Sequence, residues 1–256
     1  MGSSRLPGKI LLNGYNKPFL FHLIERIKKS KKINNIIVAT TKNKLDDIIY
    51  NLCKKNKIEV YRGNEKNVLS RYYKCAKKYK ISTIIRITSD CPLIDYQMID
   101  KMIGNYENSN YDFYGNTHPP SFPDGYDIEI FSYESLKRSY YNSKDLFQKE
   151  HVTPYIWDNP DKFKIGNYNI NKNYYNNFRL TLDFIEDFYV ISHIYNSIYP
   201  KNKFFKFSDV INFLKKNKNI LKINKKYIKV NWYSKHINKL KTISKNDTKF
   251  LKENYD

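Results

Sequence analysis

The stretch T-I-I-R-I-T-S-D at Thr83–Asp90 decides the fold class of this chain. Its first six residues are mostly β-branched and apolar, which is typical of a strand buried within a sheet. Ser89 and Asp90 follow directly and are polar, so the strand ends there. Ligands of open α/β sheets bind beyond the carboxyl ends of the strands, which makes Asp90 a candidate site residue.

Upstream of this strand, segments with helical spacing alternate with short β-branched runs. The predicted helices are Leu20–Ser30, Asp46–Asn56 and Val68–Tyr79, and the predicted strands are Asn35–Thr41 and Ile58–Tyr61. Such alternation is typical of β-α-β units, whose strands run parallel and whose helices cover the sheet. The sequence therefore predicts a three-layer α/β/α fold with a mixed, mostly parallel sheet.

The second half of the chain is more irregular. A loop rich in Pro and turn-forming residues is predicted at Thr117–Asp127, followed by a strand at Asp127–Phe131. The remaining predicted elements are helices at Lys149–Trp157, Glu186–Tyr195 and Phe207–Lys216 and a strand at Arg179–Leu182. We interpret residues 1–225 as one domain with an insertion at about 112–175, and residues 226–256 as a basic C-terminal extension.

Composition limits the class of protein. The chain has 256 residues, of which 41% are hydrophobic and 28% charged, as in ordinary globular proteins. It contains no apolar run of about 18 residues, so no membrane helix is expected. The three scattered cysteines, Cys53, Cys75 and Cys91, match no metal-site spacing and indicate buried thiols in a reducing cytoplasm.

The net charge of +21 has two interpretations. Nucleic-acid binding is one of them, because Lys and Arg neutralise phosphates. The lysines, however, are spread along a chain that is rich in Asn, Ile and Tyr, as compositional drift would produce. We therefore expect no specific nucleic-acid partner.

The first residues carry the strongest local signal for an anion site. Gly2, Ser3, Ser4 and Gly8 form a loop whose backbone amides can approach an anion closely, and Arg5 and Lys9 add two cations. This combination suits a triphosphate, whose charge must be neutralised before an oxygen nucleophile can approach.

Two aspartates occupy equivalent positions at predicted strand ends. Asp90 follows Thr83–Thr88, and Asp183 follows Arg179–Leu182. Carboxylates are the ligands that Mg²⁺ prefers in proteins. A helix cap or turn is the ordinary role of such an aspartate, but two in one sheet can converge on one metal.

At this point ordered motifs establish a family resemblance. The chain resembles the cytidylyltransferases that activate acidic sugars such as deoxy-octulosonate and sialic acid, and among them the type of the spore coat polysaccharide biosynthesis protein SpsF. The motifs are M-G-S-S-R-L-P-G-K (Met1–Lys9), I-V-A-T (Ile37–Thr40), Y-R-G-N-E-K-N-V-L-S-R-Y (Tyr61–Tyr72), R-I-T-S-D-C-P-L-I-D (Arg86–Asp95), F-P-D-G-Y-D-I-E-I-F (Phe122–Phe131), K-E-H-V-T-P-Y-I (Lys149–Ile156) and R-L-T-L-D (Arg179–Asp183).

The resemblance implies a nucleotide-diphospho-sugar transferase (GT-A, Rossmann-like) fold, a function in surface polysaccharide synthesis and a homodimer. It implies that CTP is bound through its phosphates by Gly2, Ser3, Ser4, Arg5, Lys9 and Asp90, and near its base and ribose by Ala39, Thr40 and Arg71. It places Mg²⁺ on Asp90 and Asp183, and makes Arg5, Lys9, Asp90 and Asp183 the catalytic residues. It assigns the pocket of a sugar-like acceptor, within the insertion, to Asp124, Asp127, Glu129, Glu150 and His151.

Two departures from the family pattern bear on these expectations. The family has an apolar strand before the Met-Gly-Ser segment, whereas this chain starts at Met1, so we expect the first strand of the sheet to be missing. The proline usual after the second aspartate is also replaced, because the sequence there is L-D-F-I-E (Leu182–Glu186). The alternatives are an inactive truncated relative, a glycosyltransferase on the related fold, and a nucleic-acid binder that uses the basic tail.

Overall fold

A computed structural model describes residues 1–228 and Val230. The strands are β1 (Asn13–Gly14), β2 (Lys17–Pro18), β3 (Ile37–Thr41), β4 (Glu59–Gly63), β5 (Thr83–Arg86), β6 (Phe113–Gly115), β7 (Glu129–Ser132) and β8 (Ile165–Asn167). The helices are α1 (Phe19–Lys28), α2 (Asp47–Lys55), α3 (Val68–Lys78), α4 (Tyr96–Glu107), α5 (Tyr133–Asn142), α6 (Leu146–His151), α7 (Pro154–Trp157), α8 (Ile185–Ile198), α9 (Phe207–Lys216) and α10 (Lys218–Asn224).

The six elements predicted upstream of Asp90 are confirmed, with ends displaced by no more than two residues. Their apolar periodicity is the reason, since it matches the buried faces. In α1 the residues Leu20, Leu23, Ile24 and Ile27 are buried as predicted. The amide of Ser70 donates to the side chain of Asn67, which caps α3 at the predicted position.

The four-stranded sheet, in the order β5-β7-β6-β8, is covered on both faces. Successive residues of a strand point to opposite faces. Ile130 of β7 lies in a core formed with α1, α4, α8 and α9, whereas Phe131 lies in a core formed with α3, α5, α6 and α7. A sheet between two helical layers is the predicted three-layer architecture.

The sheet is mixed, as predicted, but parallel pairing does not dominate it. β7 runs antiparallel to both β5 and β6, while β6 is parallel to β8. Parallel neighbours need a long crossover, usually a helix. No helix lies between β6 and β7 in the described chain, so the loop that joins them returns the strand antiparallel.

The parallel pair β3-β4 forms a separate ladder. In the described part of the chain no strand hydrogen bonds to both β3 and β5. In this part of the chain the β3-β4 ladder and the four-stranded sheet therefore share no strand. A third apolar cluster, which includes Leu20, Ile49, Cys53 and Val60, packs α1 and α2 on this ladder.

Two predicted elements of the second half are wrong in form. In the segment 179–182, Arg179 makes only an isolated bridge to Asp124, and residues 181 and 182 form a bend. The amides of this segment bond to loops, Leu180 to the carbonyl of Asp124 at 2.8 Å and Leu182 to that of Asp90 at 2.9 Å, so no ladder forms. The predicted helix Lys149–Trp157 is divided between α6 and α7 at Val152, whose φ is 75°.

The domain organisation remains a prediction. The segment at about 112–175 contributes β6, β7 and β8 to the sheet that contains β5. Most of the basic extension, residues 231–256, lies outside the described residues. The three cysteines are buried and unpaired, as expected.

Two glycines give a matched test of this packing. Gly125 has a φ of 108°, and a Cβ there would overlap the backbone of Leu180 and Thr181. We expect Gly125→Ala to lower the free energy of unfolding by about 2 kcal/mol or more, because positive φ and overlap both oppose it. Gly104, within α4, has open space, with Lys32 Cε at 3.7 Å as the nearest atom.

Gly104→Ala is the control and should raise the free energy of unfolding by about 0.5–1 kcal/mol, since Ala favours helices. Urea unfolding followed by circular dichroism measures both changes. Equal stability of Gly125→Ala and the unchanged protein would show that Gly125 does not pack against this segment as described.

Candidate active site

A cavity of about 380 Å³ opens where the loop after β5 meets the segment 179–183. Charged side chains dominate its lining. Five of the aspartates and glutamates among them either form ion pairs or have a raised or lowered pKa. The lining consists of Arg5, Arg86, Thr88, Asp90, Thr117, Pro120, Asp124, Asp127, Glu129, Glu150, His151, Thr153, Trp157, Tyr175, Thr181, Asp183 and Val230. The whole set predicted for the acceptor therefore lines one cavity with Arg5, Asp90 and Asp183.

Asp90 and Asp183 converge, although only Asp90 follows a strand. The Lys9 ammonium group donates to Oδ2 of Asp90 at 3.0 Å and to Oδ1 of Asp183 at 2.6 Å. The two carboxylates thus meet at a single nitrogen. The backbone explains this closeness, because Leu182 donates to the carbonyl of Asp90.

The glycine- and serine-containing loop precedes a short 3₁₀ turn at Lys9–Leu11. Gly8 takes a φ of 69°, which turns the chain so that Lys9 points to the carboxylates. Ser3 accepts a hydrogen bond from the amide of Leu6 at 3.3 Å. Arg5, with 41% of its side chain exposed, donates to Asp183 at 2.7 Å. Both predicted cations therefore lie at the predicted carboxylates.

Arg179 is a central residue that the sequence analysis did not single out. Its side chain is 1% exposed and pairs with three carboxylates. Nε donates to both oxygens of Asp187 at 3.1 and 3.2 Å, and Nη1 and Nη2 reach Asp124 at 3.0 Å and Asp183 at 3.3 Å. The signal in the sequence was the position of Arg179, which lies four residues before Asp183 in R-L-T-L-D and eight residues before Asp187.

Asp187 in turn fixes the backbone of the Asp183 turn. Its Oδ2 accepts from the amides of Asp183 at 3.1 Å and Phe184 at 3.0 Å, at the start of α8. A carboxylate at this position stabilises the free amides of a helix N-terminus. The side chain of Asp183 is thereby presented to the cavity.

Cations and burial act in opposite directions on these carboxyl groups. Burial acts to raise the pKa of Asp183, but Lys9 and Arg5 outweigh it and hold the pKa at about 2. For Lys9, burial acts to lower the pKa and is outweighed by Asp90 and Asp183, so the pKa is raised. The Lys9–Asp183 pair is therefore charged over the ordinary pH range.

Deeper in the cavity the balance is reversed. Burial raises the pKa of Asp124 to about 7, although Arg179 acts to lower it, because Asp90, Asp183 and Asp187 add repulsion. Burial also raises the pKa of Asp127 well above its usual value, and the neighbouring Asp124, Asp90 and Glu129 raise it further. The site thus combines ionised carboxylates with carboxyl groups that hold protons more strongly.

Glu129 is engaged by other side chains. Its carboxylate pairs with Arg86 and accepts from the hydroxyl of Thr153 at 2.7 Å. Glu150 and His151 line the same cavity, and the ring of His151 lies 4.7 Å from that of Phe147. The predicted acceptor residues are thus adjacent, but Glu129 has protein partners on both oxygens.

The residues predicted near the base and ribose lie elsewhere. Ala39, Thr40 and Arg71 do not line this cavity. Thr40 donates to Asp46 at 2.7 Å, and Arg71 donates to the carbonyl of Asn64 at 2.8 Å. A second, more open groove of about 720 Å³ against β4 contains none of the predicted site residues.

No helix in the described range has the length and apolar character needed to cross a bilayer.

Fold and site together define an α/β protein of the nucleotidyltransferase class, with cations and carboxylates gathered beyond the strand ends. The family described as Cytidylyltransferase matches residues 1–228, and the chain belongs to that family. It is therefore a CTP-dependent nucleotidyltransferase.

Similar proteins cover most of the chain. It is 38% identical over 226 residues to the protein MJ1063 of Methanocaldococcus jannaschii, a match that covers 87% of this chain and 90% of that protein. It is 32% identical over 201 residues to the spore coat polysaccharide biosynthesis protein SpsF of Bacillus subtilis, covering 76% and 82%.

Solved structures agree on the fold. A cytidylyltransferase from Leptospira borgpetersenii superposes with a TM-score of 0.80 at 36% identity, covering 86% of this chain and 92% of that one. The CMP:2-keto-3-deoxy-manno-octonic acid synthetase, in complex with CTP, superposes with a TM-score of 0.57 over 75% and 93% of the two chains. Since that identity is 14%, the second match shows the fold alone.

The charge pairing at Asp183 can be tested without activity. We expect Lys9→Met to raise the pKa of Asp183 from about 2 towards the ordinary value, since the variant removes the cation that contributes most to lowering it. A pH titration of the aspartate carboxyl carbons by NMR measures this change. Lys32→Met is the control, because Lys32 pairs with Glu107 on the surface.

The same pair predicts a pH dependence of stability. The folded-state pKa of Asp183 lies below the unfolded value of about 3.9, so its contribution is present above that pH and is lost as pH falls towards 2. Lys9→Met should lose less stability over that range than the unchanged protein. An unaltered pKa of Asp183 in Lys9→Met would contradict the pairing.

Proposed function

We propose that this cytidylyltransferase transfers CMP from CTP to a sugar, sugar acid or related acceptor and releases pyrophosphate, in the synthesis of a surface polysaccharide. The observation that carries the proposal is the meeting of Lys9 with Asp90 and Asp183 at a cavity that also contains the predicted acceptor residues. The similarity to the spore coat polysaccharide biosynthesis protein SpsF supports the polysaccharide context.

The phosphate end of CTP is assigned to the first residues of the chain. The loop of Gly2, Ser3 and Ser4 offers backbone amides to the phosphates, and Arg5 and Lys9 offset the charge that grows on the leaving pyrophosphate. Such transfers depend on positioning and charge neutralisation more than on covalent help from the protein. Arg5 and Lys9 are suited to this role because both already lie at Asp183.

Mg²⁺ is the proposed metal, held by Asp90 and Asp183. Their fit is supported by geometry, because oxygens of both carboxylates lie within 3.0 Å of one cationic nitrogen. Mg²⁺ typically takes one or two protein carboxylates and completes its shell with waters and substrate phosphates. When bound, Mg²⁺ supplies positive charge beside the reacting phosphates.

The acceptor side is assigned to Asp124, Asp127, Glu150 and His151. Asp127 is the proposed base for an acceptor hydroxyl, since its carboxyl group lines the cavity with Asp90 and Asp183. Glu129 is proposed to shape the pocket through Arg86 and Thr153, and Ala39, Thr40 and Arg71 to bind the base and ribose. A second copy of the chain is the proposed partner.

Asparagine variants test the carboxylate pair. We expect Asp90→Asn and Asp183→Asn each to lower CTP-dependent pyrophosphate release by roughly 100-fold or more, because each removes charge that positions the reacting phosphates. A coupled pyrophosphate assay with Mg²⁺ and a panel of 2-keto sugar acids measures the rate. Asp161→Asn is the control, since Asp161 is exposed and lies outside the cavity.

The nucleotide panel distinguishes the alternatives. Release of pyrophosphate from CTP, and not from ATP, GTP or UTP, supports a cytidylyltransferase reaction. Sugar transfer from a nucleotide sugar without pyrophosphate release would instead favour a glycosyltransferase, and full activity of Asp90→Asn would overturn the proposed metal site.

A further inference from the structure

The last described residues fold back onto the turn that carries Asp183. After α10, the ring of Tyr227 stacks on the ring of Phe184, with centroids 3.9 Å apart and planes 3° from parallel. Lys226 pairs with Glu186 at 2.7 Å. Contacts between aromatic rings stabilise the segments that carry them. Residues 226 and 227 are thus attached beside the site, on the helix turn that follows Asp183.

Both ends of this segment also bind Arg179. Asn224, which is 1% exposed, donates to the carbonyl of Arg179 at 3.0 Å and to Asp187 at 2.8 Å. The carbonyl of Val230 accepts from Nη1 of Arg179 at 3.0 Å. Arg179 therefore directs its guanidinium group to Asp124, Asp183 and Asp187 while Asn224 and Val230 hold it from two sides.

Phe184 connects the same segment to Arg5. The guanidinium carbon of Arg5 lies 5.4 Å from the centroid of the Phe184 ring, within the range of a cation–π contact. Arg5 also donates to Asp183 at 2.7 Å. Tyr227 and Arg5 thus contact the same ring.

We propose that residues 224–228 together with Val230, the C-terminal clamp, position Arg179 and Arg5 on Asp183 and so set the affinity of the site for the triphosphate. The proposal rests on the proposed function of Asp183 and Arg5. It assigns a role to Tyr227, Asn224 and Val230, and Val230 lies past the range in which the chain matches the family. Tyr227, Asn224 and Val230 are positioning residues, because they act through Phe184 and Arg179.

Nucleotide binding gives the first test. With Mg²⁺ and α,β-methylene-CTP, and no acceptor, we expect Tyr227→Ala to weaken binding measured by calorimetry about tenfold. Tyr227→Phe should bind within about twofold of the unchanged protein, because the stacked ring remains and only the hydroxyl contact to Glu186 at 3.4 Å is lost. The control is Tyr189→Ala, since Tyr189 is a 51% exposed tyrosine on α8 and its replacement should leave binding unchanged.

Hydrogen exchange gives a second test that requires no nucleotide. The amides of Asp183 and Phe184 donate to Asp187, so we expect faster exchange of both in Tyr227→Ala than in Tyr189→Ala, with a thermal midpoint lowered by no more than a few degrees. Tyr227→Leu serves as a second variant if Tyr227→Ala fails to fold. It keeps an apolar side chain but lacks the stacked ring, and the same changes in binding and exchange are expected.

The outcomes separate the two proposals. If the unchanged protein does not bind the CTP analogue, the proposed function fails and the role of the clamp in affinity fails with it, whereas faster exchange in Tyr227→Ala then supports only the positioning of the Asp183 turn by the clamp. If the unchanged protein binds the analogue but Tyr227→Ala matches it in both affinity and exchange, the clamp is overturned.

Discussion

Carboxylates that are buried close together repel one another, and the site of this protein depends on the cations that offset this repulsion. Arg179 pairs with more of these carboxylates than Lys9 or Arg5 does, because its five donors in a rigid plane can serve several carboxylates at once. It pairs with Asp124, Asp183 and Asp187 while only 1% exposed. Replacing one partner of such a network leaves buried charge uncompensated, which typically costs about 3–5 kcal/mol.

The same network connects parts of the chain that are distant in sequence. Lys9 reaches Asp183, Leu182 reaches Asp90, and Asn224 reaches Arg179. None of these contacts is local, so the chemical site forms only when the sheet, α8 and α10 are all in place. Function and tertiary assembly are thus two results of one set of ion pairs and hydrogen bonds.

Sequence alone predicted the elements whose periodicity is set by a single core, such as α1 and β3. The sequence also contains a pattern typical of α4, which was not among the predicted helices. Its apolar residues Met98, Ile99, Met102 and Ile103 are spaced for one helical face, and Asp95 is the N-cap. The alternating pattern at Arg179–Leu182 was misleading, because it predicted a strand that does not form. Leu180 and Leu182 are fully buried, as alternation in a strand requires, but their amides are satisfied by loops.

The site was predictable in part for the same reason. Asp90 and Asp183 follow segments that were predicted as strands, so they were expected to lie together. The partners of Arg179 could not be predicted, because they depend on which loops close over it. The separation of Ala39 and Thr40 from the acidic cavity also depends on tertiary structure, since it follows from the two ladders that share no hydrogen bond.

That division of the sheet has a consequence for cooperativity. β3 and β4 pair residues that are close in sequence, whereas β5 and β7 are separated in the chain by α4 and β6. The β3-β4 ladder therefore closes at a lower entropic cost. We expect this ladder to open and close as a unit of its own. A nucleotide held by Thr40 on one ladder and by the Asp90 loop of the other would span the two. The substrate would then supply a mechanical link that the backbone lacks, and part of its binding free energy would appear as resistance of the whole domain to unfolding.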